Sequence, residues 1–545
     1  MIQIQQLNLK IPHMPDAVRQ KALKTLHVRE SDVVSFKIAR RSLDARKKPE
    51  LFYVYTAELC VKNEASVRRN IKNKNIRFVK KEKPYRAVLS GDIPLKKRPV
   101  IIGTGPAGLF CGYQLARLGY RPILLERGKN VRQRMLDVEN FWKGGALNKN
   151  SNVQFGEGGA GTFSDGKLNT LVHGSGGRHE EVLNIFHQFG APEEILYDSK
   201  PHIGTDILCR IVENMRESIL SYGGEVRFGS LAEGFELTQV DGGGKALSAV
   251  LVHDMEAGRH YRLETQAAVL AVGHSARDTF EVLERLGVEM VRKSFAVGLR
   301  IEHPQRFINK RQYGMEDASL PAASYKLTAR AADGRGVYTF CMCPGGYVVN
   351  ASSEEGRTAV NGMSYSKRDG ENANSAVVVT VTPEDFGGEN VLAGMEFQRE
   401  LEERAYREGG GKIPVQTFRD YCRNIASQGS DFVVPQIKGG YAWANVRRIF
   451  PEQVAAAIEE GIFSFDRKIK GYAADGAVLS GVESRTSSPV RIIRDDSLQS
   501  SVRGIYPCGE GAGYAGGITS AAMDGLKVTE SIIKTYRPFD SGGKV

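Results

Sequence analysis

A strand, a glycine-rich turn and a helix follow one another directly after residue 99, and this order restricts the fold more than any other feature. Val100-Ile101-Ile102 is an apolar run typical of a buried parallel strand. It continues into Gly103-Thr-Gly105-Pro-Ala-Gly108 and then into the helical segment LFCGYQLARLG. The first glycine permits a tight turn, the second lets a ligand approach the backbone, and the third lets helix and strand pack closely. The sequence therefore predicts a Rossmann-type βαβ unit.

An acidic residue ends the next predicted strand, PILLE. Glu126 lies 23 positions after Gly103, where a carboxylate can accept hydrogen bonds from the hydroxyls of an adenosine ribose. The diphosphate of the same ligand would lie at the N-terminus of the helix. A carboxylate at this position would repel a 2′-phosphate, so the pattern favours a dinucleotide other than NADP.

Three further segments favour FAD over NAD. The loop Phe155–Gly166, followed by Lys167, offers backbone amides and small side chains to a flat ring system. The buried strand AAVLAVG ends at Gly273. In the third segment, a strand places Glu510 beside the ribityl chain. The helix after Gly517 then directs its N-terminus at the flavin pyrimidine edge. The predicted cofactor-binding residues are Gly103, Gly105, Pro106, Ala107, Gly108, Glu126, Arg127, Gly156, Gly158, Gly159, Ala160, Gly161, Thr162, Ser164, Val226, Gly273, Gly509, Glu510, Gly516, Gly517, Ile518 and Ala521.

In its motifs the chain resembles the FAD-dependent dehydrogenase family that has a single Rossmann-type domain and a short N-terminal domain. More distantly, it resembles the glutathione-reductase-type flavoproteins, in which Asp stands at the position of Glu510. The motifs are GTGPAGL with ERG (103–128), NVQFGEGGAGTFSDGKL (152–168), FCMCPGG (340–346), VNGMSYSKRDGENANSA (360–376), GVESRTSSPVRI (481–492) and CGEGAGYAGGITSAAMDG (508–525). The resemblance implies FAD as cofactor and a largely uncharacterised dehydrogenase or reductase activity.

The predicted fold class is α/β, with an α+β substrate domain inserted into a Rossmann-like FAD-binding domain. We expect a small ferredoxin-like domain over residues 1–97, the first part of the FAD-binding domain over 98–289, the substrate or cap domain over 290–480, and the second FAD-binding part over 481–545. Residues 1–98 contain 24 Lys and Arg against 9 Asp and Glu, whereas the whole chain has a net charge of +12. The excess positive charge therefore belongs to the N-terminal domain, and it suggests an anionic partner for that domain alone.

Four residues are candidates for catalysis: Lys167, Cys341, Cys343 and Arg485. Lys167 is a plausible neighbour of flavin N5, with a phosphate contact or solvent exposure as the alternatives. Cys341-Met-Cys343 is interpreted either as reactive thiols or as two structural thiols; it lacks C-x-x-C spacing, and no second ligand pair indicates zinc. Arg485 either binds a substrate carboxylate or belongs to a buried ion pair. His274 and His303 are expected to be core or surface residues.

The sequence predicts an FAD-dependent oxidoreductase that passes a hydride between flavin N5 and a small organic substrate. No second strand–GxGxxG–helix unit follows, so NADH or NADPH would bind only transiently. Two alternatives remain: an RNA-binding flavoprotein that modifies tRNA through its basic domain, and a flavin redox sensor without turnover. Seven scattered cysteines and the lack of a signal-like start or a long apolar run favour a cytoplasmic protein without a membrane span. The sequence indicates neither a metal site nor an oligomeric state.

Overall fold

The N-terminal domain is a four-stranded antiparallel sheet whose two helices share its apolar core. The computed structural model describes residues 1–70, 72–80, 84–170, 172, 176–240, 242–317 and 319–538. In chain order the elements of this domain are Ile2–Lys10, helix Ala17–Leu26, a 3₁₀ turn Glu30–Asp32, Val33–Lys47, Glu50–Val61, helix Glu64–Asn70 and Ile76–Phe78. The first strand lies between the third and the fourth, which is the ferredoxin-like order. The structure confirms this prediction and adds the short last strand.

The second domain is built on a five-stranded parallel sheet. Its strands are, from edge to edge, Ile505–Pro507, Ala268–Leu270, Val100–Ile102, Ile123–Leu125 and Glu225–Arg227. The central strands are almost entirely buried because helices or a second sheet cover both faces. The helices are Pro106–Arg117, Val131–Trp142, Arg178–Gln188, Thr205–Ser221, Arg277–Arg285 and Ile518–Thr535, with 3₁₀ turns Ala160–Phe163 and Glu193–Leu196. This arrangement confirms the Rossmann-like prediction.

A smaller sheet adjoins the parallel sheet, with which it shares an apolar core; its strands are antiparallel except for the last, which pairs in parallel. It consists of Ser230–Val240, Gly244–Asp254, Arg259–Glu264 and Val502–Arg503. Two short pairs complete the domain, Met290–Arg292 with Val490–Ile492 and Ile93–Pro94 with Tyr536–Arg537. No helix in the described ranges is both long and apolar enough to cross a membrane.

The cap domain is inserted between the fourth and fifth strands of the parallel sheet, in chain order. Its main sheet has seven strands in the order Thr328–Arg330, Gly336–Cys343, Asn372–Val381, Phe295–Pro304, Val478–Glu483, Ile413–Thr417 and Tyr441–Trp443. A second sheet contains Val360–Met363, Tyr347–Asn350 and Ile437–Lys438. The helices are Gln305–Tyr313, Pro383–Phe386, Ala393–Glu408, Phe418–Cys422 and Glu452–Asp466, with a 3₁₀ turn Val446–Ile449. The predicted boundary between residues 480 and 481 falls inside the strand Val478–Glu483, which pairs with two cap strands, so the cap sheet continues to Glu483.

Arg41 attaches the N-terminal domain to the rest of the chain. Its guanidinium donates two hydrogen bonds to Asp198, of 2.6 and 2.8 Å, and stacks on the ring of Tyr197. Its backbone N–H donates to Tyr197 O, and its carbonyl accepts from Ser199 N. Lys48 of this domain also donates from Nζ to Arg311 O in the cap, at 2.6 Å. At least two of its basic residues therefore serve in docking, and nucleic-acid binding by the others remains a prediction.

Candidate functional site

A cavity of about 630 Å³ runs from the glycine turn of the parallel sheet to the underside of the cap. This volume falls in the range of ligand-binding cavities. Both sheets contribute to the cavity. The parallel strands end at one side of it, and the cap strand Gly336–Cys343 borders the other side. A ligand in the cavity would therefore contact both domains.

The glycine turn holds the first strand and its helix at a distance that only glycine allows. Gly103 has φ +99°, and a Cβ on Gly108 would lie 1.9 Å from the Gly103 carbonyl oxygen. The helix begins at Pro106, and its first amides have no acceptor within the helix. A Cβ on Gly105 would meet nothing closer than Gly159 Cα, at 3.7 Å. The turn thus leaves an open cradle at a helix N-terminus, which suits a diphosphate.

The Glu126 carboxylate organises the walls of this cradle. It accepts hydrogen bonds from Thr104 N and Thr104 Oγ1, at 3.0 and 2.7 Å, and from the backbone amides of Gly128 and Gly156. These bonds connect the glycine turn to the loop predicted to face the flavin. Glu126 also lines the cavity, so its oxygens border the position predicted for the ribose.

Arg134 holds the same loop from behind, which the sequence did not reveal. Its buried guanidinium donates hydrogen bonds to five backbone carbonyls, those of Asn152, Val153, Gly156, Glu157 and Gly159. Burial lowers the pKa of Arg134 to about 10. The loop is thus fixed by a cation that binds main-chain oxygens.

Glu510 presents a carboxylate to the cavity without a hydrogen-bond partner among the described residues. Burial raises the pKa of this carboxyl to about 7, although Lys293 opposes the shift. Behind it, Asp524 accepts from Gly509 N at 2.8 Å and pairs with Arg494, which fixes the strand end. An unpaired, half-buried acceptor is what the hydroxyls of a ribityl chain require. Together with the glycine cradle, it means that the residues fit FAD.

Most of the predicted cofactor residues line the cavity, and five do not. Gly108, Gly158 and Gly509 support the wall from behind, because a Cβ on each would lie 1.9, 2.1 and 2.8 Å from a neighbouring atom. Thr162 packs with Gly158. Val226 lies in the edge strand Glu225–Arg227 and does not line the cavity. The chain turns after Arg227, and the start of the next strand borders the ligand space instead. The lining residues there are Ser230, Leu231 and Ala232.

Lys167 lies at the cap end of the cavity, where the sequence predicted a neighbour of flavin N5. Its Nζ is buried and is 3.2 Å from Asp165 Oδ2, although the geometry is not that of a hydrogen bond. Asp165 also accepts from Arg368 Nε at 2.9 Å, from Arg368 Nη2 and from the Ser364 hydroxyl. Burial alone would lower the pKa of Lys167, but Asp165 raises it, so Lys167 is a cation.

Cys341 occupies an unusual backbone position beside Lys167. The strand Gly336–Cys343 has one extra residue between Phe340 and Cys343 relative to its partner strand, and Cys341 there has φ +41°. Such bulges re-aim side chains and often lie next to active sites. Cys341 lines the cavity, whereas Cys343 is buried behind it and donates to Cys341 O at 3.2 Å.

The surroundings of Cys341 and Cys343 shift the pKa values of the two thiols in opposite directions. A hydrogen bond from the Cys343 thiol lowers the pKa of Cys341 well below its usual value against the effect of burial, and Lys167 and Arg300 act in the same direction. Burial raises the pKa of Cys343. Of the two thiols, Cys341 is the one that borders the cavity, and its reactivity remains a prediction.

We expect Cys341 to react with iodoacetamide at pH 7 at least about 10-fold faster than Cys422, because the thiolate is the nucleophile. Cys422 is the control, since it is also half-buried but burial raises its pKa to about 12. Peptide mass spectrometry measures both rates. The variant Lys167→Met removes a stabilising charge and should slow the reaction of Cys341 at pH 7. Equal rates at Cys341 and Cys422 would contradict this interpretation.

Arg485 is held in a buried ion pair, although it also borders the cavity. Its Nε and Nη2 donate to the two oxygens of Glu402, at 2.9 and 2.8 Å, and its Nη1 donates to Ser353. Arg277 binds the same carboxylate, at 2.9 and 3.1 Å. Glu402 thus occupies the guanidinium nitrogens of Arg485 that would bind a substrate, and a substrate contact of Arg485 remains a prediction. His303 is buried, whereas His274 is half-buried and lines the cavity. Burial lowers the pKa of His274 to about 3 and that of His303 to about 4, so both rings are neutral.

Several cavity residues were not among the site residues predicted from the sequence. They are Gln154, Asp165, Lys200, Tyr325, Thr339, Asn361 and Arg368. Most lie in the cap or in loops far apart along the chain, and only tertiary packing brings them together.

Comparisons with known proteins find a family that matches the cap and one relative that matches almost the whole chain. Residues 294–486 match the family described as "FAD-dependent protein, C-terminal domain-like", and residues 1–60 match a domain of unknown function. An uncharacterised protein from Clostridium beijerinckii is 47% identical over 541 residues, which cover 98% of this chain and 99% of the relative.

Solved structures resemble the chain only distantly. The flavin-dependent halogenase CmlS has 13% identity and a TM-score of 0.36, with 81% of this chain and 59% of that chain covered. Glycerol-3-phosphate dehydrogenase from Bacillus halodurans, complexed with FAD, has 11% identity and a TM-score of 0.35, with 80% and 64% covered. The chain thus spans less than two thirds of either protein, and these weak likenesses carry no functional argument. By its clostridial relative and its cap, the chain belongs to a family of FAD-dependent proteins.

Proposed function

We propose that the chain is an oxidoreductase that binds FAD in this cavity and passes a hydride between the flavin and a small organic substrate. One observation carries the proposal: a single cavity is lined at one end by the glycine turn and Glu126, and at the other by Lys167, Cys341 and the cap. A cofactor that reaches along it from the turn would have its reactive ring under the cap.

FAD, when bound, would supply the hydride chemistry, and the protein would supply binding and electrostatics. The amides of the helix Pro106–Arg117 would hold the diphosphate, and Glu126 the ribose. The Glu510 carboxylate would accept from the ribityl hydroxyls. The N-terminus of the helix Ile518–Thr535, beside Gly516 and Gly517 on the cavity wall, would stabilise negative charge on a reduced ring.

The substrate would lie between this ring and the cap. Lys167 is the cation closest in sequence to the flavin-facing loop, and Cys341 provides a polarisable group opposite it. With ligands bound, the cap would reduce the access of bulk water to this end of the cavity, which would strengthen the charge interactions inside. NADH or NADPH would enter the same space transiently, because the described part of the chain contains one dinucleotide-binding unit.

The test is the colour and the redox behaviour of the purified protein. We expect the visible absorption bands of oxidised flavin, release of FAD on denaturation, and loss of the bands under anaerobic conditions with NADH, NADPH or a reduced organic substrate. A protein that stayed colourless after incubation with FAD would refute the proposal. A flavoprotein that no nicotinamide reduces would exclude the reductase version, and a reduced flavin that no acceptor reoxidises would favour the sensor alternative.

A further inference from the structure

The cap end of the cavity carries more positive than negative charge. Lys167, Lys200 and Arg368 all line it. Within the described ranges, Asp165 is the one carboxylate at ion-pair distance from any of them. Three cations therefore share a single anion.

Asp165 already pairs with two of these cations, Arg368 and Lys167. Both of its oxygens accept from Arg368, and one also accepts from the Ser364 hydroxyl. Lys200 makes no ion pair in the described structure, and its Nζ donates only to Ser324 Oγ, at 3.3 Å. Partial burial lowers the pKa of Lys200, and Arg368 and Lys167 lower it further by charge repulsion.

The ammonium group of Lys167 indicates that an anion binds at this end of the cavity. Its Nζ is buried and makes no hydrogen bond, although an ammonium has three N–H groups to donate. A buried donor without an acceptor costs free energy that a bound anion would recover.

The neighbouring charges do not remove the imbalance. Arg300 and Glu483 neutralise one another through two hydrogen bonds, of 2.8 and 3.1 Å. A Cys341 thiolate would cancel one further positive charge, and His202 is neutral because burial lowers its pKa. Glu510, another carboxylate on the cavity wall, interacts with Lys293 instead. At least one of the three cations therefore remains unbalanced, and an uncharged substrate would leave it without a counter-ion.

We propose that Lys167, Lys200 and Arg368 form a subsite for the oxyanion group, carboxylate or phosphate, of the substrate. This inference rests on the proposed function, because the subsite lies in the same cavity as the predicted flavin ring. Lys200, at the mouth, attracts the anion, and Lys167 donates to it inside.

The test titrates the FAD-loaded protein with malonate, with inorganic phosphate and with uncharged malonamide, followed by calorimetry and by shifts of the flavin absorption bands. We expect saturable binding of at least one anion and none of malonamide, and the preferred anion indicates the substrate class. Lys200→Gln should weaken anion binding at least about 10-fold, and binding should also weaken with salt. Lys412→Gln is the control, because it removes the same charge from an exposed cap residue that does not line the cavity.

The inference is overturned if neither anion saturates the protein, or if the Lys200 and Lys412 variants bind equally well. Lys167→Met should also weaken anion binding, with far-UV circular dichroism as the check on folding. A reducible flavoprotein that binds no anion would refute the subsite alone. A colourless protein that still binds malonate in calorimetry would refute the flavin proposal alone.

Discussion

Gly108→Ala is expected to lower the affinity for FAD at least about 100-fold, a change of about 2.7 kcal/mol in binding free energy. The added Cβ would lie 1.9 Å from the Gly103 carbonyl oxygen and 3.4 Å from Ala271 Cβ. Backbone cannot move aside as a side chain can, so the turn must separate from the helix. The diphosphate cradle is then lost. The measurements are the flavin content after gel filtration and the titration of apoprotein with FAD.

Gly112→Ala is the matched control on the same helix. The three atoms nearest to its Cβ would all belong to the side chain of Leu124, at 2.9, 3.0 and 3.3 Å, and a side chain can shift where backbone cannot. We expect an FAD affinity within a few-fold of the parent. Far-UV circular dichroism verifies that both variants fold. Normal flavin content in a folded Gly108→Ala protein would mean that the glycine turn does not form part of the cofactor site.

Glu402→Gln is expected to cost about 3–5 kcal/mol of stability, because it removes the counter-ion of two buried guanidinium groups. Glu402 is fully buried, and Arg277 and Arg485 each donate two hydrogen bonds to it. Burial alone would raise its pKa, but the two arginines lower it well below the usual 4.5. The charged Glu402 carboxylate therefore makes its full contribution to stability at neutral pH, and this contribution declines only as the pH falls below about 4.5. Thermal unfolding of parent and variant measures the loss.

The adjacent residue supplies the control for this prediction. Glu403 pairs with Arg357 at 2.7 Å, but its side chain is 47% exposed. Exposed ion pairs contribute about 1 kcal/mol or less, so Glu403→Gln should barely change the unfolding temperature. Similar losses in both variants would mean that the buried cluster is no more important than a surface pair.

The sequence alone determined the features that depend on local backbone chemistry. The glycine spacing and the strand–turn–helix order predicted the Rossmann-like unit, because only glycine permits such a turn and such close packing. The alternation of strands and helices before residue 80 predicted the ferredoxin-like domain. A three-residue strand, Ile76–Phe78, was missed because it is too short to show periodicity.

The tertiary structure alone decided which charges meet. Lys167 and Arg368 lie about 200 positions apart and share Asp165, and Arg485 is paired with Glu402 rather than with a ligand. Long-range pairs of this kind leave no periodic or local pattern in a sequence, because they depend on how two domains pack against one another. For the same reason Val226 was predicted as a cofactor contact, while the residues that border the ligand space begin four positions later, at Ser230.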